Sequence, residues 1–115
     1  MTPFESRTTK IATAPAELFQ YLTSIDTIAQ WYDGWDEVRH DGKSGFLAVG
    51  ARFTLQTRRT ARSAICRVVE VAAPVRLSWN EYSMEGTALR VSFDLALAED
   101  GTTHLTLSKR VIAAH

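Results

Sequence analysis

The chain has 115 residues, 45% apolar and 23% charged, and its thirteen basic residues balance thirteen acidic ones. That is one domain's length, with enough apolar material for a core and no net charge to draw the protein to nucleic acid or an anionic membrane. The single cysteine, Cys66, excludes an internal disulfide framework and a zinc site built of thiolates, and the longest apolar runs are too short for a bilayer span or a secretion signal. One soluble cytoplasmic domain over 1–115 is the expectation.

In chain order, residues 4–11 alternate weakly and are read as a strand leading to Ile11. Pro15 suits a first helical turn, where its missing N–H would have no partner, and Glu17 puts negative charge at the positive end of the helix dipole. Leu18, Leu22 and Ile25 recur at helical spacing beside Phe19, predicting an amphipathic helix over 15–24. Asp26 is a natural N-cap for a second, shorter helix carrying Ile28, Trp31 and Tyr32 and ended by Asp33-Gly34. From there the period changes to two. Strands are predicted over 36–40, 51–59, 63–72, 76–82, 87–97 and 103–111, the last two joined by the Asp100-Gly101 turn. Val68-Val69 interrupts the alternation of 63–72 and marks a candidate bulge. The strand 87–97 is the clearest, with Leu89, Val91, Phe93, Leu95 and Leu97 on one face. Strand, two helices, then about six antiparallel strands is an α+β layout. The helices look too small to cover the apolar face, so the sheet must curl, hold a ligand or meet a partner chain.

Few motifs survive scrutiny. Gly42-Lys43-Ser44 matches the end of a phosphate-binding loop, but Glu37 stands where the first glycine belongs. Asp36, His40 and Asp41 flank a turn where acids are ordinarily solvated, so no metal and no cofactor is expected. No Ser-His-Asp arrangement can be argued. Arg58, Arg59, Arg62 and Arg67 read as a solvated hairpin, or as the source of one inward arginine, Arg59 or Arg67, that anchors an anion. Trp31 and Phe93 read first as core, while Trp35 and Tyr82, near loops, suit the mouth of an apolar cavity. Glu81 is a candidate acid–base group, although a charged strand residue ordinarily points to water.

The stretch Ile11-Ala-Thr-Ala-Pro-Ala-Glu-Leu-Phe-Gln-Tyr-Leu22, with Ile28-Ala-Gln-Trp31, resembles the opening of the START/SRPBCC helix-grip superfamily. Val49-Gly-Ala-Arg-Phe53, Val68-Val-Glu-Val-Ala-Ala-Pro-Val-Arg-Leu-Ser-Trp79 and the hairpin from Val91 to Leu107 continue the resemblance. It looks most like the polyketide cyclase/dehydrase and lipid-transport branch, with the chaperone-activator-like branch next. The resemblance implies a curved antiparallel sheet of six to seven strands, helix-grip-like, with a hydrophobic cavity against a long C-terminal helix. Here that helix is absent, and an open apolar face (Leu89, Val91, Phe93, Leu95, Leu105, Leu107) predicts a homodimer or a shallow groove.

The expected function is binding of a small hydrophobic or aromatic ligand, lipid- or polyketide-like. Trp31, Trp35, Phe53, Leu55, Arg59, Cys66, Trp79, Tyr82 and Phe93 are the candidate lining. The alternatives are a cyclase/dehydrase-type enzyme using His40, Glu81 or Tyr82, and a protein-interaction module that docks the open sheet face.

Overall fold

The computed structural model describes residues 4–32, 34–40 and 45–113, with Phe4 described by its backbone alone. Strand β1 (Phe4–Ile11) leads into helix α1 (Pro15–Thr23), a 3-10 turn (Ile25–Thr27) and the single helical turn α2 (Ile28–Trp31). Six strands follow: β2 (Glu37–His40), β3 (Arg52–Gln56), β4 (Ser63–Ala72), β5 (Arg76–Ser83), β6 (Ala88–Leu97) and β7 (Thr103–Ala113). They form one curved antiparallel sheet in the order β1-β7-β6-β5-β4-β3-β2, a meander whose last strand pairs with the first. The register slips between Val68 and Glu70, at the expected break in alternation.

Period-two alternation divides the sheet cleanly. Phe53, Leu55, Cys66, Val68, Leu77, Trp79, Val91 and Phe93 point to the concave side and are 2% exposed or less. Leu18, Phe19, Leu22, Ile25 and Ile28 cover them from the helical side. Removing each such side chain from water contributes about 1.5–3 kcal/mol, so this layer holds the helices to the sheet. The helices therefore cover more of the sheet than their length suggested: Val91, Phe93 and Leu95 are buried within the chain, and Leu105 and Leu107 are half-buried against the core. Leu97, expected on the same apolar face, lies beyond the helices and is 70% exposed.

Proline at the start of α1 acts as predicted, but the second helix begins differently. Asp26 sits inside the 3-10 turn and caps nothing; its Oδ1 lies 3.4 Å from Nε2 of His40. Thr27 organises this corner instead, its one hydroxyl proton shared between the carbonyls of Tyr21 (2.7 Å) and Ser24 (2.9 Å). Among the described residues no helix follows β7, and none is long and apolar enough to cross a membrane. Positions 41–44, with Asp41 and the Gly42-Lys43-Ser44 turn, lie outside the described residues, as does Asp33.

Candidate functional site

Two aromatic side chains at the end of α2 connect the core to the open strip of the sheet. Trp31 is held by its indole N–H, which donates to the Thr27 hydroxyl at 3.1 Å, and its ring meets Phe93 edge-on with centroids 5.3 Å apart. Tyr32 follows, buried and set edge-on to Trp79 at 5.5 Å. Trp79 in turn packs against Phe53 (5.1 Å) and Phe93 (5.0 Å). These separations and tilts are those preferred by aromatic pairs.

Beneath these rings lies a carboxyl group. Glu81 is only 6% exposed. Its Oε1 accepts from the Tyr32 hydroxyl at 3.0 Å and the Trp79 indole N–H at 3.2 Å, with the Cys66 thiol at 4.0 Å. The expectation that a charged strand residue points to water is overturned, and alternation gives the reason: Leu77, Trp79 and Glu81 share one face, with Cys66 the direct cross-strand partner of Glu81. A buried carboxyl needs such donors, since leaving it unpaired would shift it to the neutral form. Burial first, then the charge and hydrogen bond of Glu81, push the Tyr32 phenol far above its ordinary value of 10.0. Burial first, then the Glu81 charge, likewise raise the Cys66 thiol well above 9.0. Tyr32 thus stays a neutral donor, and Cys66 stays a thiol rather than a thiolate nucleophile.

On the outer side of the same aromatic pair the concave face opens into a groove of about 630 Å³, bounded by Trp31, Tyr32, Leu107, Lys109 and the β1 residues Glu5 and Arg7. The Lys109 ammonium stands 4.7 Å from the Tyr32 ring centroid, a cation–π distance. The groove is apolar at its inner end and charged at its rim.

The sequence-predicted residues divide into three sets. Phe53, Leu55, Cys66, Trp79 and Phe93 are interior core, and of the predicted ligand-binding set only Trp31 lines this groove. Trp35 and Arg59 share a separate depression near the β3–β4 turn, where the Arg62 guanidinium lies 5.5 Å from the Trp35 ring centroid. Tyr82 follows Glu81 and so faces the convex side, 44% exposed. No inward arginine exists at the two positions considered: Arg59 is in an exposed turn, and Arg67 alternates with the buried Cys66 and Val68. His40 neighbours Asp26 and stands three strands from Glu81 in the same cross-strand row, and among the described residues no cluster of side chains suits a metal ion. Tyr32, Leu107 and Lys109 were not among the predicted ligand-binding residues. Parity could have found the two on β7, since Leu105, Leu107 and Lys109 share a face, and Tyr32 lies four residues after the core residue Ile28.

A family model described as activator of Hsp90 ATPase homolog 1-like protein matches residues 12–115. The chain belongs to this family. It is an SRPBCC family, the chaperone-activator-like branch of the superfamily that the sequence resembles. Among solved structures, a protein of Nitrosospira multiformis superposes with a TM-score of 0.76 at 13% identity, over 98% of this chain and 81% of that one. An HSP90 activator from Plasmodium falciparum gives 0.72 at 18%, over 97% and 75%. A protein of the dynemicin biosynthetic locus gives 0.72 at 16%, over 96% of this chain and 38% of that one. At these identities the likeness shows the helix-grip fold alone. No curated protein matches the chain significantly.

Proposed function

We propose that this cytoplasmic protein binds a small hydrophobic or aromatic ligand in the groove beside Trp31 and Tyr32. One observation carries the reading: two aromatic rings, fixed by the Thr27 and Glu81 hydrogen bonds, wall a groove of about 630 Å³ together with Leu107. That volume lies in the range typical of small-molecule sites, and the rigid Trp31 ring at its inner end loses little freedom when a planar ligand stacks on it. Arg7 and Lys109 outnumber Glu5 at the rim and so favour a ligand with an anionic substituent on an apolar body. The probe that tests it is 1-anilinonaphthalene-8-sulfonate, followed by amide and indole NMR shifts of the folded protein. Shifts concentrated at Trp31, Tyr32 and Leu107, with affinity reduced at least tenfold by Trp31→Ala and unchanged by Arg59→Ala, are expected. Shifts centred on Trp35 and Arg59, or none, would overturn the assignment.

A second reading is an interaction module, which includes self-association as a homodimer. It is supported by β1, an edge strand exposed from Glu5 to Lys10 and so open to pairing with another chain, and by the family's description as activator-like. Sedimentation at micromolar concentration separates the two, since the ligand reading requires no second chain. The cyclase/dehydrase-type alternative would draw on the Tyr32–Glu81 pair, with Tyr32 facing the groove and Glu81 behind it.

A further inference from the structure

The convex face of the sheet carries a feature that ligand binding on the concave face does not use. Cross-strand registers place Arg52 opposite Arg67, Arg67 opposite Asn80, Asn80 opposite Arg90, and Arg90 opposite Arg110. Four arginines therefore stand in one row across five strands, all on the convex side because their neighbours Phe53, Cys66, Val91 and Lys109 point to the concave side. With strands about 4.8 Å apart, the row spans roughly 19 Å. Among the described residues none of these four is in an ion pair, whereas Arg39, Arg58, Arg76 and Lys10 all are. Like charges directly opposite each other on paired strands destabilise a sheet, and among the described residues neither Arg90 nor Arg110 forms an ion pair that would offset this.

The adjacent row supplies hydroxyls. Ser78, Ser92, Ser108 and Ser6 are successive register partners. Ser78 is only 2% exposed and donates to the Ser92 oxygen at 3.1 Å, which leaves the Ser92 proton for another acceptor. Arg90 and Arg110 wall a groove of about 260 Å³ over this floor. Nε of Arg90 is fixed on Asn80 Oδ1 at 2.6 Å, so its terminal amino groups are pre-oriented. Across the groove stand two acids, Glu70 and Asp94, which share one cation, Arg76, whose Nε lies 2.7 Å from Asp94 Oδ1 and Nη1 3.7 Å from Glu70, so that with Arg90 and Arg110 the lining keeps one net positive charge.

We propose that this convex groove binds a phosphoryl dianion between Arg90 and Arg110 over the serine floor. Two planar guanidinium forks together with the free Ser92 hydroxyl proton offer more donors than a flat two-oxygen carboxylate can accept, and match a tetrahedral group with three oxygens. The source is either free phosphate or a small phosphomonoester, which carry the same recognised group.

The test is an NMR titration of the wild-type chain, following Arg Nε–H resonances at constant ionic strength with inorganic phosphate, glycerol 3-phosphate and acetate. Saturable shifts of Arg90 and Arg110 with both phosphates, absent with acetate, are expected. Arg90→Lys, which keeps the charge but loses the fork, should weaken binding about tenfold, and Arg110→Gln at least as much, while Arg39→Gln leaves it unchanged. Tighter binding of glycerol 3-phosphate than of phosphate assigns the site to an ester, and the reverse to the free ion. Equal shifts with acetate, no saturation, or indifference to Arg90→Lys would overturn the proposal. None of these outcomes depends on the concave groove, which lies on the other face.

Discussion

Replacing Tyr32 with phenylalanine removes one oxygen and leaves the ring contacts with Trp79 and Phe93 in place. What is lost is the 3.0 Å hydrogen bond to a carboxyl group that is 6% exposed. A bond to a charged acceptor is worth about 1.5–3 kcal/mol, and Glu81 then keeps the Trp79 indole as its remaining close donor. The expected cost is about 2 kcal/mol, read as a shift of the urea midpoint with unchanged slope, or about 8 °C in melting temperature for a domain this size. Tryptophan fluorescence follows the transition, because Trp31 and Trp79 sit in the affected cluster. A double-mutant cycle isolates the interaction: in a Glu81→Leu background the same substitution should cost less than about 0.5 kcal/mol. A cost below that figure in the wild-type background, or equal costs in both, would refute the view that Tyr32 stabilises the buried carboxyl.

Other consequences follow from the same geometry. Tyr32 and Cys66 hold their protons more tightly folded than unfolded, so their contribution is complete below their ordinary values of 10.0 and 9.0 and is lost as pH rises beyond them. Urea midpoints should accordingly fall between about pH 8 and pH 10.5, more steeply in the wild type than in Tyr32→Phe; a flat profile would contradict it. The Cys66 thiol, buried and held protonated, should react with iodoacetamide at pH 8 at a rate set by unfolding, and rapid labelling of the native protein would count against its burial. Trp79→Ala should cost about 3–5 kcal/mol, since a fully buried indole at the centre of the aromatic cluster is replaced by a cavity; equilibrium unfolding measures it. Gly101 turns the β6–β7 hairpin at φ +84°, so Gly101→Ala should cost about 1 kcal/mol through backbone strain although a Cβ there meets nothing, and an unchanged midpoint would argue against that turn geometry.

Much of this fold was legible in the residues because local patterns and tertiary structure agree. The strands were located to within a few positions, 4–11 and 63–72 to the residue, by alternation where it is clear, as in 87–97, and by β-branched and aliphatic richness in 63–72, and Pro15 marked the start of α1. The break at Val68-Val69 announced the bulge. Facing, within a strand whose register is known, is also a sequence property: Glu81 inward and Tyr82 outward follow from Leu77 and Trp79. What alternation cannot report is which neighbours converge. That Tyr32, Trp79 and Cys66 all reach one carboxyl oxygen depends on the chain after α2 placing the Tyr32 side chain over β5, a contact between positions 49 residues apart. The four arginines are scattered over β3, β4, β6 and β7, and only the registers of those pairs draw them into one row. Nor could short helical segments show how much sheet they would cover, because coverage depends on their crossing position rather than their length. Composition and periodicity therefore determined the elements and their faces, which are local matters of backbone geometry and burial. The buried carboxyl, the open strip beside Trp31 and the arginine row were decided by tertiary structure, because each is a distance between residues that the sequence holds far apart.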